Sequence, residues 1–143
     1  MNLAIRKLER GDLENGFLKS LDSLRQATGI NKEKADEVFE HIESNPHHMV
    51  LVAVSDDRVV GTCTLLMENK FIHKGSKICH IEDLSVDAEY QGTGVGRSLI
   101  KAALDASAKD GCYKTLLDCQ KNVAEFYEKI GFKKSAIMMR FDH

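Results

Sequence analysis

The segment Gln91-Gly92-Thr93-Gly94-Val95-Gly96-Arg97 sets three glycines at alternate positions, directly between a strand pattern and an amphipathic helix pattern. Glycine lets a backbone approach a ligand closely, and the first turn of a helix offers unpaired N–H groups and the positive end of the helix dipole. That combination suits an anion, and a diphosphate above all. The spacing separates it from two familiar phosphate loops. A dinucleotide fingerprint needs GxGxxG, and here the third glycine comes one position early. A Walker loop needs Gly-Lys-Ser/Thr, and Gly96-Arg97-Ser98 lacks the lysine. Elsewhere, Glu82 and Asp118 are carboxylates near strand ends, where solvation is the plainer alternative to a role in proton transfer. Lys70, His73, Lys114 and Arg140 could hold a phosphate together, although any one alone reads as a solvated charge.

The elements that must position these residues can be read in order. Leu3–Leu8 alternates as a short strand, and Asp12 is placed to cap a helix with an apolar stripe of Leu13, Phe17, Leu21 and Leu24. Thr28-Gly29 breaks it. Asn31 caps a second helix carrying Ala35, Val38, Phe39 and Ile42, which Asn45-Pro46 ends. Met49–Val54 and Val59–Leu66, joined by Ser55-Asp56-Asp57-Arg58, form a β-hairpin. Ile78–Val86 is a fourth strand whose alternation slips, since Ile81 and Leu84 are both apolar yet three apart. A β-bulge near Glu82-Asp83 would reset the phase. A long helix runs from Gly94 to Asp110 with Gly111 at its end, followed by a fifth strand at Thr115–Leu117. Asn122 opens a short helix with Val123, Phe126, Tyr127 and Ile130 on one face, and Ser135–Phe141 reads as a last strand.

Gln-x-x-Gly-x-Gly after an acidic strand resembles the coenzyme A pyrophosphate loop of the GNAT superfamily of N-acetyltransferases. The run Asn122–Phe132, with its asparagine, its Phe126-Tyr127 pair and its terminal Gly131-Phe132, resembles that superfamily's second signature. The resemblance covers nearly the whole chain. It implies an α/β (α+β) GNAT fold in one domain, residues 1–143, with a mixed, mostly antiparallel sheet of about six strands flanked by helices and a bulged central strand. It also implies acetyl-CoA as co-substrate, held by Leu84, Ser85, Val86, Gln91, Gly92, Thr93, Gly94, Val95, Gly96, Arg97, Asn122 and Tyr127.

Thr28-Gly29, Lys70-Phe71-Ile72-His73, His80-Ile81-Glu82-Asp83, Gly111-Cys112-Tyr113-Lys114, Asp118-Cys119 and Phe126-Tyr127-Glu128-Lys129 resemble the eukaryotic glucosamine-6-phosphate N-acetyltransferase family more specifically. That resemblance implies formation of N-acetylglucosamine 6-phosphate on the way to UDP-N-acetylglucosamine. It implies a sugar site of Thr28, Lys70, His73, Glu82, Asp83, Tyr113, Lys114 and Asp118, and a homodimer whose final strand brings Arg140 to the neighbouring subunit. The loop Lys74–Lys77 and the tail Ser135–His143 match the family loosely.

The acceptor amine must lose its proton before it attacks the thioester carbonyl, and either Glu82 or Asp118 can take it, directly or through water. Backbone N–H groups of Leu84 and Val86 could bind the carbonyl oxygen and the pantetheine arm, because an irregular strand leaves donors free. Tyr127 either packs on a helix face or, as the resemblance implies, donates to the departing sulfur. A thiol of pKa about 8.5 leaves readily, so a modest donor suffices. Cys119 has no histidine near it in sequence, and direct transfer needs no covalent intermediate.

Composition sets outer bounds. With 43% apolar and 29% charged residues, the 143-residue chain has an ordinary globular balance and enough length for one core. A net charge of −2 gives no field to attract nucleic acid or an anionic membrane. No apolar run approaches the ~20 residues of a membrane span, and Met1–Arg6 has no signal-like apolar stretch, so a cytoplasmic protein is expected. Cys63, Cys79, Cys112 and Cys119 show no CxxC or metal-ligand spacing, and with His47-His48 in a loop no metal is expected; buried free thiols are. Two rivals remain: a GNAT enzyme acting on a peptide or polyamine, which favours an open groove or acidic walls, and a non-catalytic acetyl-CoA sensor.

Overall fold

Asp56 and Asp57 decide the first long-range pairing. In the computed structural model, which describes residues 1–143, both are left-handed (φ 49° and 59°) and join β2 (His48–Ser55) to β3 (Arg58–Asn69). Such a loop matches the twist of its strands, and aspartate tolerates the conformation. With β1 (Leu3–Lys7), β4 (Lys77–Val86) and β5 (Cys112–Leu116), they form one sheet in the order β1-β2-β3-β4-β5. All neighbours are antiparallel except β4 and β5, which run parallel.

Helix α4 (Val95–Lys109) covers one face. Leu99, Ile100 and Ala103 lie at helical spacing and are fully buried against Cys63, Leu65, Cys79 and Ile81 of the central strands. Burying each large side chain stabilises the fold by roughly 1.5–3 kcal/mol. On the other face α1 (Phe17–Leu21) and α2 (Lys32–Glu43) pack Phe17, Ala35 and Phe39 against Val50, Val52 and Val59. Asn31 caps α2 as its sequence predicts, accepting the Lys34 amide at 2.8 Å. Helix α5 (Ala124–Glu128) lays Tyr127 along the α4 side of the core, beside Ile130 and Phe132. No helix is long and apolar enough to cross a membrane.

The structure corrects five expectations. Asp12 does not cap a long first helix. It is buried and takes two hydrogen bonds from the Arg6 guanidinium (2.7 and 2.8 Å) and one from the Glu9 amide. Burial opposes its ionisation, but those hydrogen bonds and the Arg6 charge outweigh it and hold its pKa below the ordinary value. The helical stripe is cut at Gly16 (φ 95°), where any Cβ would collide with the Val59 carbonyl, so α1 begins only at Phe17; it ends at Leu21, and Leu24 is exposed. The fifth strand begins earlier than expected and ends at Leu116. The last strand does not form within the chain: no backbone–backbone hydrogen bond reaches beyond Phe132, and the sheet ends at β5. Finally, not every cysteine is a buried thiol. Cys63 and Cys79 are buried, Cys112 is half-buried and Cys119 is exposed.

Candidate active site

The site begins with two irregularities in β4. Thr62 pairs with Ser85 and Thr64 with Glu82, so Cys63 alone faces both Asp83 and Leu84. This is the bulge that the slipped alternation predicts, and Asp83 within it is left-handed (φ 50°). The second irregularity is a split. Pairing between β4 and β5 ends at His80 and Leu116, so the edge of β4 from Ile81 onward has no partner. The Asp87 amide donates to Val60 on the β3 side (2.9 Å), and strand alternation turns the Val86 amide toward the open edge.

The glycine turn closes the end of that split. Gly92 (φ 77°) and Gly94 (φ 94°) adopt conformations that favour glycine, and nothing lies within 4 Å of where a Cβ would stand at either. The first intrahelical bond of α4 is from the Ser98 amide to the Gly94 carbonyl, and no side chain caps the helix. The amides of Val95, Gly96 and Arg97 are thus free for an anion. Val95 turns its side chain into the core, leaving only its backbone to the loop. Gly96 faces the other way: a Cβ there would touch Phe126 (3.6 Å) and Val86 (3.7 Å), so α4, α5 and β4 converge at this residue. Gln91 ties the turn down, donating to the Val86 carbonyl at 3.2 Å, and Thr93 donates to the Tyr90 carbonyl at 2.6 Å. The Ser85 hydroxyl is committed to the Ser20 carbonyl (2.6 Å) and anchors α1 to β4. Arg97 and Asn122 are exposed.

Two residues past the end of β5, Asp118 lies near enough to act by its charge on both Glu82 and Tyr127. Burial raises the Glu82 pKa, and the negative charges of Asp118 and Asp83 raise it further. Tyr127 is half-buried, with edge-on contacts to Phe126 (4.9 Å between centroids) and Phe132 (5.8 Å). Burial first, then the neighbouring Cys119, Cys63 and Asp118, push its phenol up to about 12.

The opposite side of β4 opens into a cavity of about 610 Å³ between the sheet and the segment carrying α1 and α2. Thr28, Thr62, Thr64, Glu82 and Asp83 give it polar groups, while Phe17, Leu21, Ile30 and Phe39 make most of its wall apolar. The predicted cations divide: two gather on one ring and two do not. His73 stacks on Tyr113 at 4.1 Å between centroids, and Lys114 stands 5.4 Å over the same ring. The Tyr113 hydroxyl is buried without a partner. Lys70 is paired with Glu68 at 2.9 Å, and Glu68 also accepts from His80 at 3.2 Å. Arg140 lies in the exposed tail, paired with Asp142 at 2.7 Å. Sequence reading gave no role to Asp22 or Glu68, and it named His80 only within the stretch His80-Ile81-Glu82-Asp83. Only strand alternation, which sets His80 and Glu82 on one face, could have pointed to any of them.

Comparison with known proteins agrees with this architecture. Residues 17–132 match the model of the acetyltransferase (GNAT) family. A glucosamine 6-phosphate N-acetyltransferase of Candida albicans is 35% identical over 136 residues, covering 94% of this chain and 91% of that one. One from Trypanosoma brucei brucei is 34% identical over 143 residues, 99% of this chain and 97% of that one. The crystal structure of glucosamine-6-phosphate N-acetyltransferase from Arabidopsis thaliana superposes with a TM-score of 0.94 at 32% identity, covering 99% of both chains.

Proposed function

The chain belongs to the acetyltransferase (GNAT) family, and on that premise we propose that it transfers the acetyl group of acetyl-CoA to the amine of glucosamine 6-phosphate. The observation that carries this reading is the parting of β4 from β5 beside a glycine turn open to an anion, with Asp118 acting by its charge on both Glu82 and Tyr127. Relatives bearing that name match over more than nine tenths of both chains, which supports the acceptor.

The residues fit the co-substrate. Gly92 and Gly94 form a cradle that a Cβ would fill, with free helix amides behind it, as a pyrophosphate needs. The open edge of β4 offers the Leu84 and Val86 amides to an extended amide-bearing arm. When bound, acetyl-CoA supplies an acyl carbon already activated as a thioester. Glu82 accepts the proton of the acceptor's ammonium group, its raised pKa bringing its basicity closer to the task. Asp118 orients the amine and stabilises the positive charge until that proton leaves. Tyr127 keeps its proton and directs it toward the leaving sulfur. No covalent enzyme intermediate is required. His73, Tyr113 and Lys114 form the anion-facing group of the acceptor site. The exposed apolar tail supports a homodimer in which Arg140 completes the partner's site.

Thiol release from acetyl-CoA across a panel of amines tests the reading. Glucosamine 6-phosphate should exceed glucosamine in kcat/KM by roughly 10²–10⁴, since charge-assisted hydrogen bonds to a phosphate contribute about 1.5–3 kcal/mol each. Equal rates on the two sugars, or a preference for peptide or spermine, would overturn it.

A further inference from the structure

We propose that Asp22 is a positioning residue of the acceptor site, which fixes the polarity of the Thr28 hydroxyl. The inference rests on the functional reading above, in which Thr28 contacts the sugar. Asp22 stands at the C-terminal end of α1, where the chain turns toward Gly29 (φ 97°). Its Oδ1 accepts the amides of Ala27 at 2.7 Å and Thr28 at 2.9 Å, and its Oδ2 accepts the Thr28 hydroxyl at 2.7 Å. Every hydrogen-bond donor of Thr28 is therefore taken by one carboxylate.

The chemical consequence lies in what remains. A carboxylate only accepts, so the hydroxyl proton must point at Asp22 and cannot turn toward a ligand. Thr28 lines the cavity that Glu82 and Asp83 also line. Its oxygen can meet a ligand with lone pairs alone. That wall selects a ligand donor, a sugar hydroxyl or an ammonium hydrogen, and disfavours an ether or carbonyl oxygen at the same place. Because Asp22 is itself exposed on the loop, it acts through Thr28 and not by touching the acceptor.

Asp22→Asn isolates this effect. The amide oxygen can still accept both backbone donors, but its NH₂ replaces the acceptor of the hydroxyl. The Thr28 oxygen then accepts from that NH₂, and its proton is released toward the cavity. Steady-state kinetics should show the KM for glucosamine 6-phosphate raised roughly 5–10-fold, as expected for one lost hydrogen bond. The kcat, the KM for acetyl-CoA and the melting temperature should stay unchanged. Thr28→Val should raise the same KM, and adding Asp22→Asn to it should change nothing more. A wild-type acceptor KM in Asp22→Asn, an effect that persists in the Thr28→Val background, or a lowered melting temperature with both KM values raised together would each overturn the inference. If the wild-type enzyme leaves glucosamine 6-phosphate unacetylated, the functional reading fails and takes this inference with it. An active wild type with an unaltered variant defeats the inference alone.

Discussion

Glu82 and Asp118 share one electrostatic neighbourhood at the point where β4 and β5 part. Burial lifts the Glu82 pKa above the ordinary carboxylate range, the charges of Asp118 and Asp83 push it further, and His80 pulls it back. A base so raised is better matched to an ammonium proton than a solvated carboxylate is. The same coupling separates the two candidate bases by experiment.

Glu82 works deprotonated, so kcat/KM for the acceptor must fall as pH drops through its pKa, and the raised value sets that limb above the usual carboxylate range. Asp118→Asn removes a neighbouring negative charge. The Glu82 pKa then falls, and the acidic limb should move to lower pH even as the maximum rate drops. Glu82→Gln should abolish the limb and leave only the titration of the amine. The opposite pattern, with the limb lost in Asp118→Asn and kept in Glu82→Gln, would make Asp118 the base.

A phenol held at about 12 stays protonated throughout the working range, so Tyr127 contributes as a hydrogen-bond donor and not as a titrating acid. Tyr127→Phe keeps the ring contacts with Phe126 and Phe132 and removes only the hydroxyl. Its kcat should fall about 10–10²-fold, because the donor matters most as sulfur gains charge. The KM for acetyl-CoA should stay within about 2-fold. A single-turnover rate equal to wild type would remove Tyr127 from the chemistry.

The glycines of the anion turn are not equivalent. A side chain at Gly94 would enter the open cradle and would force a left-handed conformation costing roughly 1–2 kcal/mol. A methyl at Gly96 would instead meet Phe126 and Val86 at ordinary contact distance. Calorimetry on folded protein should therefore find acetyl-CoA affinity reduced more than about 10-fold in Gly94→Val, since several backbone hydrogen bonds to an anion are lost. Gly96→Ala should lose much less. Undiminished affinity in Gly94→Val would detach this turn from the co-substrate.

How much of this was written in the sequence depends on the range of the forces involved. The bulge was legible because Ile81 and Leu84 cannot both face the core without an extra residue between them. The hairpin at Asp56-Asp57 and the cap at Asn31 are local hydrogen-bonding events, and they appear where the residue types put them. Asp12 also looked like a local cap, but Arg6 reaches it across the sheet edge, and a bidentate ion pair outbids a helix start. The late start of α1 follows from Gly16 meeting the Val59 carbonyl, a contact made only once the sheet exists. The grouping of His73 and Lys114 on Tyr113, and the diversion of Lys70 to Glu68, likewise depend on the α3 turn (Ile72–Gly75), where His73 and Lys74 are both left-handed.

The C-terminal tail offers the last test. Ile137, Met139 and Phe141 are 90%, 88% and 82% exposed, and alternate residues of an extended segment share a face. So much unburied apolar surface on an unpaired extended segment favours pairing with another chain. Arg140 points from the opposite face and has only Asp142 as an ionic partner, leaving its guanidinium available to a phosphate held by a neighbouring subunit. If the acceptor site is shared in this way, Asp118→Asn and Arg140→Ala each impair it from a different chain. Unfolding the two impaired variants together and refolding them should give hybrids in half of the dimers by statistics. Each hybrid then holds one site with both native residues, so a quarter of the wild-type sites should return. A solution mass of one chain by light scattering, or mixed subunits as inactive as the separate ones, would show that the tail serves its own chain and that Arg140 is a solvated charge.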